Sequence, residues 1–212
     1  VNYTIRWETR ASEDPRAHFL RLAGSGQARY GAFVDSGSFA LCSASPELFF
    51  RLRGRDLVSR PMKGTTRRGR NTEEDLRLAE TLRASAKERA ENVMIVDMVR
   101  NDMGRVAETG TVHVPRLFEV ERYSTVQQMT STVVCRTAAP VADIMTAMFP
   151  CASVTGAPKV RAMEIIRELE PSPRGVYTGC IGALGPGRRA FFNVAIRTAV
   201  LHRDTGCTVY GA

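Results

Sequence analysis

The chain has 212 residues, 43% hydrophobic and 25% charged. That is ordinary globular usage and excludes a disordered tail, a collagen-like chain and a coiled coil. Thirty basic residues against 22 acidic ones give a net charge of +8, which favours an anionic partner, either nucleic acid or a small carboxylate or phosphate. Only 7% of residues are aromatic and few sit among the arginines, so a surface that stacks single-stranded nucleic acid is poorly supported.

No apolar run is long enough to cross a bilayer as a helix, and no charged-then-apolar leader follows Val1. Cys42, Cys135, Cys151, Cys180 and Cys207 are scattered without a C-x-x-C pair. They read as free thiols of a cytoplasmic protein. His18, His113 and His202 lie far apart, which argues against a zinc cluster or a Ser–His–Asp site.

Val1–Glu8 alternates apolar and polar and reads as a half-buried strand. Asp14-Pro15 opens a short helix through Ala23, stopped by Gly24-Ser25-Gly26. Tyr30–Val34 and Phe39–Ser43 flank a turn, and so do Leu48–Leu52 and Leu57–Ser59. Arg60 to Asn71 reads as a polar, basic, glycine-containing loop. Helices follow from Thr72 to Arg83 and from the capping box Ser85-Ala86-Lys87-Glu88 to Met103. Strands return at Thr111–Val114, Leu117–Arg122 and Met129–Arg136. A helix over Ala142–Phe149 precedes the loop Pro150–Ala157 and a helix from Pro158 to Glu170. Val176–Leu184, Ala190–Leu201 and Cys207–Tyr210 close the chain as strands. Short hairpins joining grouped strands predict an α+β fold, with largely antiparallel β-sheets packed with helices, in a single domain over residues 1–212.

Five features could carry chemistry. Lys63 lies among arginines; an amine among cations releases its proton more readily, and the free amine is the nucleophile. Gly64 permits close approach and Thr65 adds a hydroxyl. Glu88 and Glu91, three apart on one helix, share a face that could hold Mg2+. Ser153–Pro158, with Thr155 and Gly156, leads into a helix N-terminus that favours an anion. Arg197, in an apolar run, needs a carboxylate partner, and Tyr177 could offer a phenol nearby. Glu47, after Ser45-Pro46, is a possible general acid or base. Each has a plain structural reading: a solvated loop, an acidic stripe, a capped loop, a core tyrosine.

Taken in order, Ser45-Pro46-Glu47, Arg60–Thr65, Lys87–Asn92 with Ile95-Val96-Asp97 and Arg100-Asn101-Asp102, Ser153–Lys159, and Gly179–Gly182 with Ile196-Arg197-Thr198 form a series that resembles the chorismate-utilising enzymes. That superfamily includes anthranilate synthase component I, aminodeoxychorismate synthase component I, and the isochorismate and salicylate synthases. The resemblance implies alanine at the position of Lys63 in most members and lysine in the branch that aminates chorismate at C4. It further implies that Lys63 adds to ring C2, with Glu47 as acid/base. Gly64, Thr65, Gln128, Thr155, Gly156, Tyr177 and Arg197 would contact substrate, and Glu91 with Glu88 would hold Mg2+. Ammonia would come from a glutamine amidotransferase partner, and neither nucleic acid nor membrane is expected.

One position departs from the pattern: the resemblance implies histidine where this chain has Gln128. Glutamine cannot titrate near neutrality. The resemblance also implies segments before Val1 and after Ala212, the latter with further metal-binding glutamates, so the chain by itself is expected to show little activity. The alternatives are amination at C2, an inactive relative and, remotely, a basic nucleic-acid-binding module.

Overall fold

A computed structural model describes residues 1–10, 13–24 and 28–212. The chain divides into two compact units. Residues 1–47, 154–182 and 192–212 form the first, and residues 48–153 and 183–191 the second.

The first unit is built on a sheet ordered β1 (Arg6–Arg10), β12 (Cys207–Gly211), β11 (Thr198–His202), β3 (Phe39–Ser43), β2 (Ala32–Asp35), antiparallel throughout. Helix α1 (Pro15–Gly24) packs on β3, with Phe19 5.7 Å from Phe33 between ring centres. Asp14 caps it by accepting from Ala17 N–H at 3.4 Å. Ser25 and Gly26, read as its stop, lie outside the described residues. Ala40, Cys42, Ala199 and Leu201 form a core with Phe19, Leu22, Phe33 and Tyr210. The expected half-buried strand at Val1–Glu8 differs: β1 starts at Arg6 and is exposed along its length. It is an edge strand paired with β12, and both Trp7 within it and Ile5 just before it are exposed.

The second unit is organised around β8 (Val126–Arg136). On one side β8 pairs with β7 (His113–Arg122) along its length. On the other it pairs first with β6 (Met62–Arg67) and then with β5 (Asp56–Arg60). Beyond β5 lies β4 (Leu48–Arg53), followed by the tip of the hairpin of β9 (Cys180–Gly185) and β10 (Arg189–Val194). The segment expected as a basic loop is therefore a strand over Met62–Arg67. It carries no apolar alternation, so sequence periodicity misses it. The chain leaves β5 at Pro61, whose carbonyl accepts from Ser131 N–H at 3.1 Å, and continues along β8.

Two helices cover this sheet. In α2 (Thr72–Ala84), the Asn71 side chain accepts from Glu74 N–H; in α3 (Ala86–Gly104), Ser85 accepts from Glu88 N–H at 3.4 Å, as the capping box predicts. α3 buries Asn92, Ile95, Val96, Val99 and Met103, one face at helical spacing. Helix α4 (Val141–Met148) packs against α3, and α5 (Lys159–Leu169) belongs to the first unit.

The expected strand Ala190–Leu201 is broken into β10 and β11. Ile196 N–H bonds Val194 C=O at 2.8 Å and Arg197 adopts φ +51°, a tight turn that apolar composition conceals. The expected strand from Val176 begins only at Cys180, because Thr178 sits at φ +62°. Leu117–Arg122 and Thr111–Val114 merge into the single strand β7, which bulges twice.

Candidate active site

Lys63 lies where β6 departs from regular pairing. Met62 faces Thr130 and Thr65 faces Gln128, so Lys63 and Gly64 together oppose Met129. This is a β-bulge, with Gly64 at φ +100°. A Cβ at Gly64 would lie 3.2 Å from Glu88 Oε2 and 3.2 Å from Met129 Cβ. Glycine is required twice over, by φ and by the closeness of α3. The bulge re-aims Lys63 out of the strand alternation, and its main-chain carbonyl accepts from Asn92 Nδ2 at 3.3 Å.

The arginines around Lys63 in sequence face carboxylates in the structure. Arg60 pairs with Glu119 and Glu121, Arg67 with Glu74, and Arg68 with Asp75. Their charge is largely compensated where they stand.

Asp75 is buried and accepts from Arg68 Nε at 2.7 Å and Nη2 at 2.9 Å, from Gly69 N–H at 2.8 Å and from Gln127 Nε2 at 2.8 Å. The Arg68 guanidinium, with the Gly69 amide, holds its carboxyl well below the usual carboxylate range.

Glu88 and Glu91 stand on α3 with Lys87 Nζ 4.0 Å and 3.9 Å away. Among the described residues no group of three or more potential ligands forms a metal cluster. Two carboxylates on one helix turn still suit Mg2+, which takes one or two carboxylates and completes its shell with water and substrate oxygens. Gln128, 6% exposed, is flanked by Thr65 on β6 and Glu121 on β7, and its Oε1 accepts no hydrogen bond.

The first unit holds the remaining residues. Glu47 is 3% exposed; its N–H donates to Ser45 Oγ at 3.2 Å and its carbonyl accepts from Val194 N–H at 3.1 Å. Ser45 Oγ donates to Val194 C=O at 2.6 Å. Buried Thr155 accepts at its carbonyl from Asn2 N–H at 2.9 Å. Next to it, a Cβ at Gly156 would lie 3.0 Å from Ala162 Cβ on α5. Arg197 is half-buried, and its carbonyl accepts from Ala44 N–H at 3.0 Å.

Tyr177 lines a cavity of about 220 Å3 with Tyr3, Ile5, Arg174, Thr198 and Val200. Burial pushes its phenol above the ordinary value. A side chain at Gly211 would run into the Tyr177 ring. The structure thus brings Lys63, Gly64, Glu88 and Gln128 into one unit, and Glu47, Thr155, Gly156, Tyr177 and Arg197 into the other.

Sequence reasoning passed over Asn92, although it sits inside a quoted motif four residues after Glu88 and on the same helical face. It also passed over Ser131, whose hydroxyl donates to Asn92 Oδ1 at 2.5 Å.

The architecture is similar to that of anthranilate synthase component I from Streptococcus pneumoniae: TM-score 0.89 at 33% identity, over 99% of this chain and 46% of that one. The chorismate binding enzyme family model matches residues 1–212, and the chain belongs to that family. It is 47% identical over 190 residues to a probable chloroplastic aminodeoxychorismate synthase of Oryza sativa, covering 87% of this chain and 21% of the relative. It is 49% identical over 184 residues to anthranilate synthase component 1 of Streptomyces coelicolor, covering 86% and 36%. The chain therefore spans less than half the length of each of these proteins.

Proposed function

We propose that the protein carrying this chain aminates chorismate at C4, giving 4-amino-4-deoxychorismate on the way to 4-aminobenzoate. The observation that carries the reading is Lys63 in a glycine-backed bulge beside Glu88 of α3, in a chain of the chorismate binding family. Overall identity does not separate the two aminations, since relatives of both names match at 47% and 49%. The residue at 63 supports the C4 reading. Alanine has no nucleophile, and a lysine amine does.

In the proposed sequence Lys63 Nζ bonds to ring C2, both ring double bonds shift by one position, and the C4–O bond breaks. The departing hydroxyl takes a proton and leaves as water. Ammonia then bonds to C4, both double bonds return to their original positions, and the C2–Nζ bond breaks to restore the lysine. Gln128 can hydrogen-bond the hydroxyl but cannot protonate it, so Glu47 or water supplies the proton. Gly64 leaves room for the ring and Thr65 offers it a hydroxyl. Arg197, with Tyr177 and the Thr155-Gly156 backbone, would receive the pyruvyl carboxylate.

Glu91 and Glu88 would hold Mg2+, which when bound neutralises and orients the ring carboxylate. The word "component 1" in the Streptomyces coelicolor relative's name supports a partner subunit, read here as a glutamine amidotransferase that delivers ammonia. A single chorismate-binding domain is the reading for both units, since one family model spans them.

No described helix is long and apolar enough to cross a membrane. The five free cysteines, with Cys42 and Cys135 thiols pushed up to about 11 by burial, support a reducing compartment such as the cytoplasm. The carboxylate partners of Arg60, Arg67 and Arg68 leave little for a nucleic-acid surface.

The test is incubation with chorismate, ammonia and Mg2+, followed by a lyase that converts only the C4-aminated product to 4-aminobenzoate. Lys63→Ala should abolish that product. Anthranilate as the sole product would assign the C2 reaction instead.

A further inference from the structure

Both ends of the Asn92 amide are used in the interior of the second unit, where the residue is 1% exposed. Nδ2 donates to the Lys63 carbonyl at 3.3 Å, and Oδ1 accepts from the Ser131 hydroxyl at 2.5 Å. Ser131 Oγ in turn accepts from Phe118 N–H at 3.2 Å. Phe118 lies at φ +60° in the second bulge of β7. One helical turn before Asn92, the Arg89 guanidinium lies 4.7 Å from the centre of the Phe118 ring. One face of α3 therefore grips two irregular points of the sheet, the Lys63–Gly64 bulge and the Phe118 bulge, through a continuous hydrogen-bonded chain.

We infer that Asn92 is a positioning residue for Lys63. A bulge with glycine at φ +100° has no side-chain packing of its own to fix the peptide that follows Lys63. The Asn92 donor fixes the direction of that carbonyl, and with it the direction in which the lysine side chain leaves the strand. Ser131 orients the amide, so that the nitrogen and not the oxygen faces Lys63. The idea rests on the reading of Lys63 as nucleophile. A nucleophile attacking one ring carbon depends on direction, and displacement by an ångström can cost about a hundredfold in rate.

The experiment uses the protein carrying this chain, with Asn92→Asp and Ser131→Ala variants. Asn92→Asp keeps the shape and replaces the donor with an acceptor facing a carbonyl. Ser131→Ala leaves Asn92 in place and frees its orientation. Should Asn92→Asp melt below the assay temperature, Ser131→Ala carries the same reading in a gentler form.

Two readouts are taken. The first is kcat and KM for chorismate. The second is the rate at which limiting acetic anhydride acetylates Lys63 relative to Lys87, mapped by peptide mass spectrometry; Lys87, 79% exposed, is the internal reference. We expect kcat to fall about tenfold or more in Asn92→Asp with KM changed less than about twofold. The Lys63-to-Lys87 labelling ratio should shift in the same variants. An unchanged ratio in both would overturn the inference even if activity fell, since the loss would then be general. If Lys63→Ala retained full turnover, the nucleophile reading would fail by itself, while the labelling ratio would still report whether Asn92 governs Lys63.

Discussion

A Cβ placed on Gly64 would stand 3.2 Å from Glu88 Oε2. The bulge that presents the lysine and the helix that presents the carboxylates are thus as close as a missing side chain allows. Gly64→Ala must both adopt φ +100° and push Glu88 aside; such backbone strain costs about 1–3 kcal/mol. We expect a thermal midpoint lowered by several degrees and C4 amination reduced about tenfold or more. Circular dichroism and the coupled lyase assay read the two effects separately. A variant with native stability and rate would show that the approach is inconsequential.

Asp75 locks the end of β6 to α2. Its folded-state carboxyl is depressed, chiefly by Arg68 and then by the Gly69 amide. The stabilisation it contributes is present above the unfolded aspartate value of about 3.9 and is lost as pH falls from there through the folded value. Asp75→Asn should therefore melt well below the native chain at pH 7, and the gap should narrow in acid. Thermal melts across that range check the sign; a gap constant with pH would mean the hydrogen bonds matter and the charge does not.

For the metal, Glu91→Gln should raise the Mg2+ needed for half-maximal activity about tenfold or more, since one of the two α3 carboxylates is lost. Lys87→Met should act oppositely. Its ammonium, 3.9 Å from Glu91, competes with a cation, although its exposure makes the pair weak. Mg2+ titrations of the two variants should move apart, and coincident curves would remove α3 from the metal site.

Gln128 carries a side chain that cannot titrate near neutrality. Gln128→His introduces an ionisation near about 6.5 beside Thr65 and Glu121. The kcat profile of this variant should gain a pH limb in that region which the native profile lacks. Identical profiles would place the C4 hydroxyl elsewhere.

Much of the fold was readable because its signals were local. The Ser85 capping box, the turn at Gly54-Arg55 and the Asp14-Pro15 start lie where composition puts them. What was missed is held by distant partners. Met62–Arg67 has no apolar alternation and is a strand because β8 lies alongside it. The break at Arg197 is a backbone turn inside an apolar run, invisible to hydropathy. Around Lys63 the sequence shows the arginines but not their partners. Glu74, Asp75, Glu119 and Glu121, which face its arginines, come from later elements. Asn92 was legible as a helical-face neighbour of Glu88 but gained meaning only when its donor was seen on the Lys63 carbonyl.

The most direct measurement is intact-protein and peptide mass spectrometry after incubation with chorismate and Mg2+ in the absence of ammonia. The account expects a mass gain of chorismate less one water, located on the peptide containing Lys63, discharged by added ammonia and missing from Lys63→Ala. No adduct at any time point, together with undiminished C4 amination by Lys63→Ala, would contradict it.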